Sequence, residues 1–338
     1  MRPAVTVFVP CYNEEKTIGS LLESLRDQTY PTDRMEVLLI DGHSTDQTLR
    51  KIDQFKKHNP DLDIKVIPNS HRRIPFALNI GCEAASHDIL LRMDAHTKPA
   101  QNYIELCISG LIEKRGDNVG GKCNIVPGNP SAFARAISIA AGHPAGSGGA
   151  SYRSGSVARE VDTVAFGCYY KSTYQKVGPF DESLFANEDY EWNYRLRKSG
   201  GKIWFDPNIV CDYISRADLN TLGRQYFNYG YWKRIMLSRH PSSLRVRQAL
   251  PVLLFLAFCF AITLLLIGIA TSIDLIAWIG ILIILAHPIS ILTTFIKARK
   301  GITLLNAPLV VISIMTMHLS WGCGFLWSSI KNLAKKTP

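Results

Sequence analysis

Three apolar runs close the chain and constrain its fold more than any other feature. Ala249 to Thr271 is uncharged, Leu275 to Ile296 is interrupted by His287 and Pro288, and Ile302 to Ile330 contains Asn306 and His318. Each is long enough to cross a hydrocarbon core, which takes roughly 20 apolar residues as helix. One such run could be a buried core helix, but three in succession in 338 residues predict a soluble domain followed by a membrane anchor. At the other end, the apolar VTVFVP is short and passes directly into polar chain, so no signal peptide is expected.

Charge follows the same division. The formal net charge is +10, yet residues 1–212 carry 25 Lys and Arg against 26 Asp and Glu. Residues 213–248 carry seven against one, and the remainder six against one. The soluble part lacks the basic face that nucleic-acid binding requires. The basic excess flanks the apolar runs, where it suits anionic lipid headgroups and predicts a cytoplasmic soluble domain on an inner, multi-pass membrane protein. The Lys297-Ala298-Arg299-Lys300 loop falls on that same side, whereas the Ser272-Ile273-Asp274 turn has no positive charge. Three simple crossings would leave Lys331, Lys335 and Lys336 outside, so a kinked or re-entrant third run is the alternative and the side of the tail stays open. The eight cysteines are scattered without a CxxC pair and read as reduced core thiols, Cys11 included.

Within the soluble part, strands alternate with helices for about 100 residues. Val5–Val9, Glu36–Ile40, Ile64–Ile67 and Ile89–Met93 read as buried strands; Thr17–Arg26, Thr48–Phe55, Ile74–Ala85 and Gln101–Glu113 read as helices. That order predicts right-handed βαβ units on a parallel sheet. No GxGxxG follows the first strand, which argues against a dinucleotide fold. Further strands are expected at Asn118–Val126, Val161–Tyr170 and Lys202–Phe205, with a short helix at Lys171–Val177. Gly142–Gly155, with five glycines, reads as a long irregular loop, either a surface loop or a lid. Leu219–Leu237 mixes Tyr, Phe and Trp with Arg and Lys, the composition of a membrane-surface helix. The expected organisation is an α/β domain over 1–212, a basic and aromatic interfacial region over 213–248, and about three transmembrane helices over 249–338.

Two clusters carry chemistry. Asp94 and His96 end the fourth strand two residues apart, so their side chains point the same way at the edge where open α/β sheets bind ligands. Together they could hold a divalent metal, and the metal a diphosphate. The plain alternative is a turn-capping Asp94 and a solvated His96. Glu188, Asp189 and Glu191 open a helix, where acids complement the macrodipole or present one carboxylate as a general base.

In this order the motifs resemble the family-2 glycosyltransferases. The resemblance rests on Val9-Pro10-Cys11-Tyr12-Asn13-Glu14, Asp41-Gly42-His43-Ser44-Thr45-Asp46, Asp94-Ala95-His96 and Asn187-Glu188-Asp189, over about Ala4 to Asp206. The DAH triplet, HPAGSGG, NEDYEWNYRLRKSGG and RQYFNYGYWKR are similar to bacterial exopolysaccharide enzymes of the succinoglycan type. The resemblance implies a GT-A nucleotide-sugar fold, a mixed and mostly parallel sheet flanked by helices. It implies a UDP-sugar donor bordered by Pro10, Tyr12, Glu14 and Asp41, with Tyr12 stacking on the base and Arg72 or Arg73 on the diphosphate. Asp94 would contact ribose and metal, and His96 would take the second ligand place, favouring Mn2+ over Mg2+ and tying metal binding to an imidazole pKa of roughly 6.5. Asp189 would be the base of an inverting displacement, with Glu188 beside it at the substrate. Processive members carry a Q-x-x-R-W pattern that Arg224–Lys233 does not match, so one sugar per undecaprenyl-diphosphate-linked acceptor is expected, with Trp232 and Lys233 near its diphosphate. Rival readings are a polyprenyl-phosphate sugar synthase and a non-catalytic nucleotide-binding scaffold. Donor sugar, linkage and oligomeric state stay open.

Overall fold

The computed structural model of the protein describes residues 2–298 and 306–334. The chain forms two compact units, one of residues 1–124 with 151–214, the other of 125–150 with 215–338. The first unit opens with β1 (Val5–Cys11), α1 (Ile18–Arg26), β2 (Met35–Asp41), α2 (Thr48–His58), β3 (Asp63–Pro68), α3 (Ile74–Ala84) and β4 (Ile89–Arg92). It continues through β5 (Thr97–Pro99), α4 (Tyr103–Ile112) and β6 (Asn118–Val126). Helices α5 (Ala132–Gly142) and α6 (Pro144–Ser147) belong to the second unit. The chain then returns as α7 (Ser151–Ser154), β7 (Arg159–Glu160), β8 (Cys168–Tyr170), α8 (Lys171–Val177), α9 (Glu188–Lys198) and β9 (Ile203–Ile214).

The sheet runs β3-β2-β1-β4-β8-β6-β9-β5, with β7 on β9. β3, β2, β1 and β4 are mutually parallel, as the βαβ order predicts, with Val7 opposite both Val37 and Leu91. Buried on both faces, β1, β2 and β4 are almost continuously apolar, whereas β3 at the sheet edge is largely exposed. β8 runs antiparallel to β4 and β6, and β9 antiparallel to β5, which makes the sheet mixed.

One charged residue inside this parallel core ties it together. Glu36 on β2 is 1% exposed and accepts from Thr6 Oγ1 (2.6 Å), Lys65 Nζ (2.7 Å), and the Ser86 amide (2.9 Å) and hydroxyl (2.7 Å). Desolvation alone would raise its pKa, but these donors outweigh it and hold the carboxyl at about 2. A carboxyl depressed on folding contributes stability above its unfolded pKa and loses it as pH falls through the folded value. Wild type should therefore lose about 3 kcal/mol relative to Glu36→Gln between about pH 4.5 and 2. Melting midpoints of both proteins across that range check this; parallel curves would contradict it.

The structure corrects the reading of several segments. The expected strand Val161–Tyr170 is strand only at Cys168–Tyr170, preceded by the two-residue β7. Between them the backbone is fastened by α9: Asn193 Nδ2 donates to Thr163 Oγ1 (2.9 Å) and Val164 O (3.3 Å). β9 does not stop at Phe205 but continues through Pro207 to Ile214. Gly142–Gly155 is not an irregular loop. Its glycines permit close approach, since a Cβ on Gly146 would stand 2.1 Å from Ala140 O, and one on Gly155 2.7 Å from the Phe205 ring. Left-handed backbone occurs at Gly148 and Gly149 (φ 61° and 72°), after α6. Helix α5, for which no element was expected, is capped by Ser131 Oγ on the Ala134 amide (3.1 Å).

The second unit adds α10 (Leu219–Arg239), α11 (Val246–Thr271), α12 (Asp274–Ala298) and α13 (Ala307–Ala334). Val246–Thr271, Asp274–Thr294 and Ala307–Asn332 are long and apolar enough to cross a membrane. α11 and α12 pack closely, with Gly268 against Ala277 and Gly280 against Ala261. α5 packs on α13 through Ala136, Ile137 and Ala140 against Val310, Ile314 and Met317. Arg299 and Lys300 of the expected basic loop, and Lys335 and Lys336, lie outside the described residues.

Candidate active site

The site is built at the C-terminal edge of the parallel strands. The two loops after β1 and β2 are stitched together there by their own motif residues. Asn13 takes φ 55° and its Oδ1 accepts from the Thr45 amide (2.8 Å), while its amide donates to Ser44 Oγ (2.9 Å). The Glu15 amide donates to Asp46 Oδ2 (3.1 Å), and the Gln47 amide to Glu15 Oε2 (3.0 Å). Much of both motifs is therefore structural: it fixes the two loops and holds Tyr12 outward, 46% exposed, beside half-buried Pro10. A Cβ on Gly42 would come within 3.3 Å of the Tyr12 Cβ, so glycine lets the loops close. Asp41 is 5% exposed, and its carboxylate accepts from Ser44 Oγ (2.6 Å) and the Ser44 amide (3.1 Å).

Arg72 and Arg73 are both exposed after β3. Arg72 adopts φ 54°, and the Arg73 guanidinium lies 4.2 Å over the Phe185 ring, on the segment leading into α9. Asp94 and His96 both sit half-buried at the end of β4. A turn follows Asp94, whose carbonyl accepts from the Thr97 amide (3.1 Å) and hydroxyl (2.6 Å). His96 Nδ1 lies 3.1 Å from Glu14 Oε1, and its ring meets the edge of Tyr213 at 5.0 Å.

The residue that joins the two acidic clusters was not singled out from sequence. Arg92, the last residue of β4, is 6% exposed and places Nε 3.2 Å from Asp94 Oδ1 and Nη1 3.2 Å from Glu188 Oε1. The available signal was a guanidinium inside an otherwise apolar strand run, since a buried charge requires partners. Asn187 takes a left-handed conformation (φ 64°) immediately before α9, and the next two carboxylates, adjacent on the helix, diverge. Glu188 turns inward, 5% exposed, onto Arg92, whereas Asp189 is half-buried and accepts from the Tyr190 amide (2.6 Å). Desolvation raises both pKa values; for Glu188 the Asp189 charge adds to it, and Arg92 opposes the rise in both. Both carboxyls are thus more basic than usual, and of the two it is Glu188 that pairs with Arg92. Trp232 and Lys233 lie on α10 in the second unit; Lys233 is 1% exposed, with Nζ 3.5 Å from Met236 Sδ.

A family model described as glycosyl transferase family 2 matches residues 6–170. A dolichyl N-acetyl-alpha-D-glucosaminyl phosphate 3-beta-D-2,3-diacetamido-2,3-dideoxy-beta-D-glucuronosyltransferase of Methanococcus voltae is 32% identical over 242 residues, 70% of this chain and 74% of its own length. The chain belongs to glycosyltransferase family 2. The glycosyltransferase is also 27% identical over 333 residues to succinoglycan biosynthesis protein ExoA of Rhizobium meliloti (strain 1021), covering 98% of this chain and 96% of that protein. Among solved structures, mannosyltransferase PcManGT from Pyrobaculum calidifontis, in complex with GDP-Man and Mn2+, aligns with a TM-score of 0.59 at 17% identity, over 99% of this chain and 88% of that one. The shared fold is GT-A.

Among the described residues, no three His, Cys, Asp or Glu side chains converge as a metal cage. Asp94 and His96 nevertheless offer the glycosyltransferase one hard oxygen and one imidazole nitrogen at a single edge. That donor set is chemically compatible with a divalent metal ion. Because the Glu14 carboxylate can only accept, the 3.1 Å contact requires a proton on His96 Nδ1, and in the neutral ring that leaves the lone pair on Nε2. A carboxylate orienting an imidazole in this way is the usual support of a metal-binding histidine.

Proposed function

We propose that this glycosyltransferase transfers one sugar from a UDP-sugar to a saccharide carried on polyprenyl diphosphate, with inversion, during assembly of an exopolysaccharide or related glycan. The observation that carries the reading is the Arg92 bridge, which ties Asp94, two residues from His96, to Glu188, the neighbour of Asp189. Tyr12 and Pro10 border the base, and Arg72 offers a cation to the diphosphate. Asp189 accepts the proton of the acceptor hydroxyl as its oxygen bonds to the anomeric carbon and the bond to UDP breaks. A divalent ion held by Asp94 and His96, Mn2+ in preference to Mg2+, would supply charge neutralisation for the departing diphosphate. The dolichyl phosphate sugar named for the Methanococcus voltae enzyme supports a lipid-linked acceptor, and the succinoglycan relative supports an exopolysaccharide product.

Transfer assays of the purified protein with a panel of UDP-, GDP- and TDP-sugars and a polyprenyl-diphosphate saccharide test the reading. UDP preference and loss of transfer on EDTA addition, restored by Mn2+, are expected. A rate untouched by EDTA would remove the role given to Asp94 and His96.

The same proposal extends to the membrane. α13 runs alongside α10 in the same direction, with Gly223 against Ser320, Phe227 against Gly324 and Arg234 Nε 3.1 Å from Ser329 Oγ. It is also the least apolar of the three candidate spans, with a mean hydropathy of 1.7 against 3.0 and 2.4. α13 therefore lies with basic α10 at the cytoplasmic surface while the α11–α12 hairpin crosses, which keeps Lys331 inside. A green fluorescent protein fused to the C-terminus should fluoresce in intact cells, and an alkaline phosphatase fusion should be inactive. The reverse pattern would show three crossings.

A further inference from the structure

The second unit contains an open groove of about 660 Å³ where α10, α11 and α13 meet. Its walls are hydrocarbon and aromatic: Phe227 from α10, Phe255 and Phe258 from α11, and Leu319 from α13. Arg224 and Asn228, one helical turn apart on α10 and both exposed, supply a cation and an amide at the same groove. The walls are set by backbone packing. A Cβ on Gly324 would stand 2.1 Å from Phe227 O, and one on Gly322 2.4 Å from Pro251 O, so α13 meets α10 and α11 in close backbone contact beside the groove. The volume lies within the roughly 300–1,000 Å³ of small-molecule sites, and such sites combine apolar walls with few polar groups.

From this combination we infer that the groove binds the acceptor carrier by its phosphate-bearing end, with Arg224 and Asn228 on the phosphates and the first isoprenoid units between Phe227, Phe255 and Phe258. The occupant is an isoprenoid diphosphate, because its doubly charged head complements the guanidinium while its hydrocarbon matches the walls. The inference rests on the reading of a lipid-linked acceptor and assigns that lipid a place.

Binding of undecaprenyl diphosphate to full-length protein in phosphatidylcholine nanodiscs, followed by native mass spectrometry, tests it without sugar transfer. Arg224→Glu, at an exposed position, should weaken that binding at least tenfold, and Leu319→Trp, which fills the groove, should do the same. Phosphatidylglycerol should not compete at equal mole fraction. Unchanged binding in both variants, or equal competition by phosphatidylglycerol, would overturn the assignment. If carrier binding falls as expected but no sugar is transferred from any donor, the groove stands and the proposed activity does not.

Discussion

Asp189→Asn should lower kcat for transfer to a saccharide hydroxyl by about 10²–10⁴-fold, the usual contribution of a positioned proton acceptor, with little change in melting midpoint. The hydrogen bond that its carboxylate accepts from the Tyr190 amide, at 2.6 Å, can be kept by the Asn carbonyl. Raised basicity through desolvation is what the substitution removes. A bare lipid phosphate is already anionic and needs no base. The same variant therefore separates hydroxyl transfer from polyprenyl-phosphate charging, in which the loss would be slight. Initial rates on defined acceptors make the measurement, and an Asp189→Asn enzyme as fast as wild type on a saccharide acceptor would reassign the base.

The second large effect is on stability. Arg92→Met removes the cation between Asp94 and Glu188 and leaves a carboxylate that is 5% exposed without its partner. Breaking a buried pair from one side costs about 3–5 kcal/mol, which lowers the melting midpoint of a domain this size by roughly 10 °C. Adding Glu188→Gln should recover much of that loss, since a neutral amide tolerates burial better than an unpaired charge. Thermal shift of the single and double variants decides it. A double variant no more stable than Arg92→Met would mean that packing, rather than the ion pair, sets the cost.

What was legible in the sequence follows from which interactions are local. The parallel half of the sheet showed because strands buried on both faces must be apolar along their length, as VTVFV and VLLI are. The apolar helices showed by length. The loops after β1 and β2 showed as motifs, but most of their polar residues fasten one loop to the other, which no spacing reveals. Segments 161–167 and 142–155 were misread for related reasons. The first has strand composition but bonds to an α9 side chain, and the second has loop composition whose glycines permit close packing instead. Arg92 went unremarked because its partners are two and 96 residues away. Glu188 and Asp189 are neighbours in sequence, and that Glu188 rather than Asp189 meets Arg92 depends on tertiary packing that no spacing reveals.

A structure of the full-length protein with UDP and Mn2+ tests the central claim most directly. The account predicts anomalous density for the ion on Asp94 and on His96 Nε2, the uracil against Tyr12, and the Asp189 carboxylate facing the diphosphate's open side. An ion held elsewhere, or a nucleotide bound away from the ends of β1, β2 and β4, would contradict it.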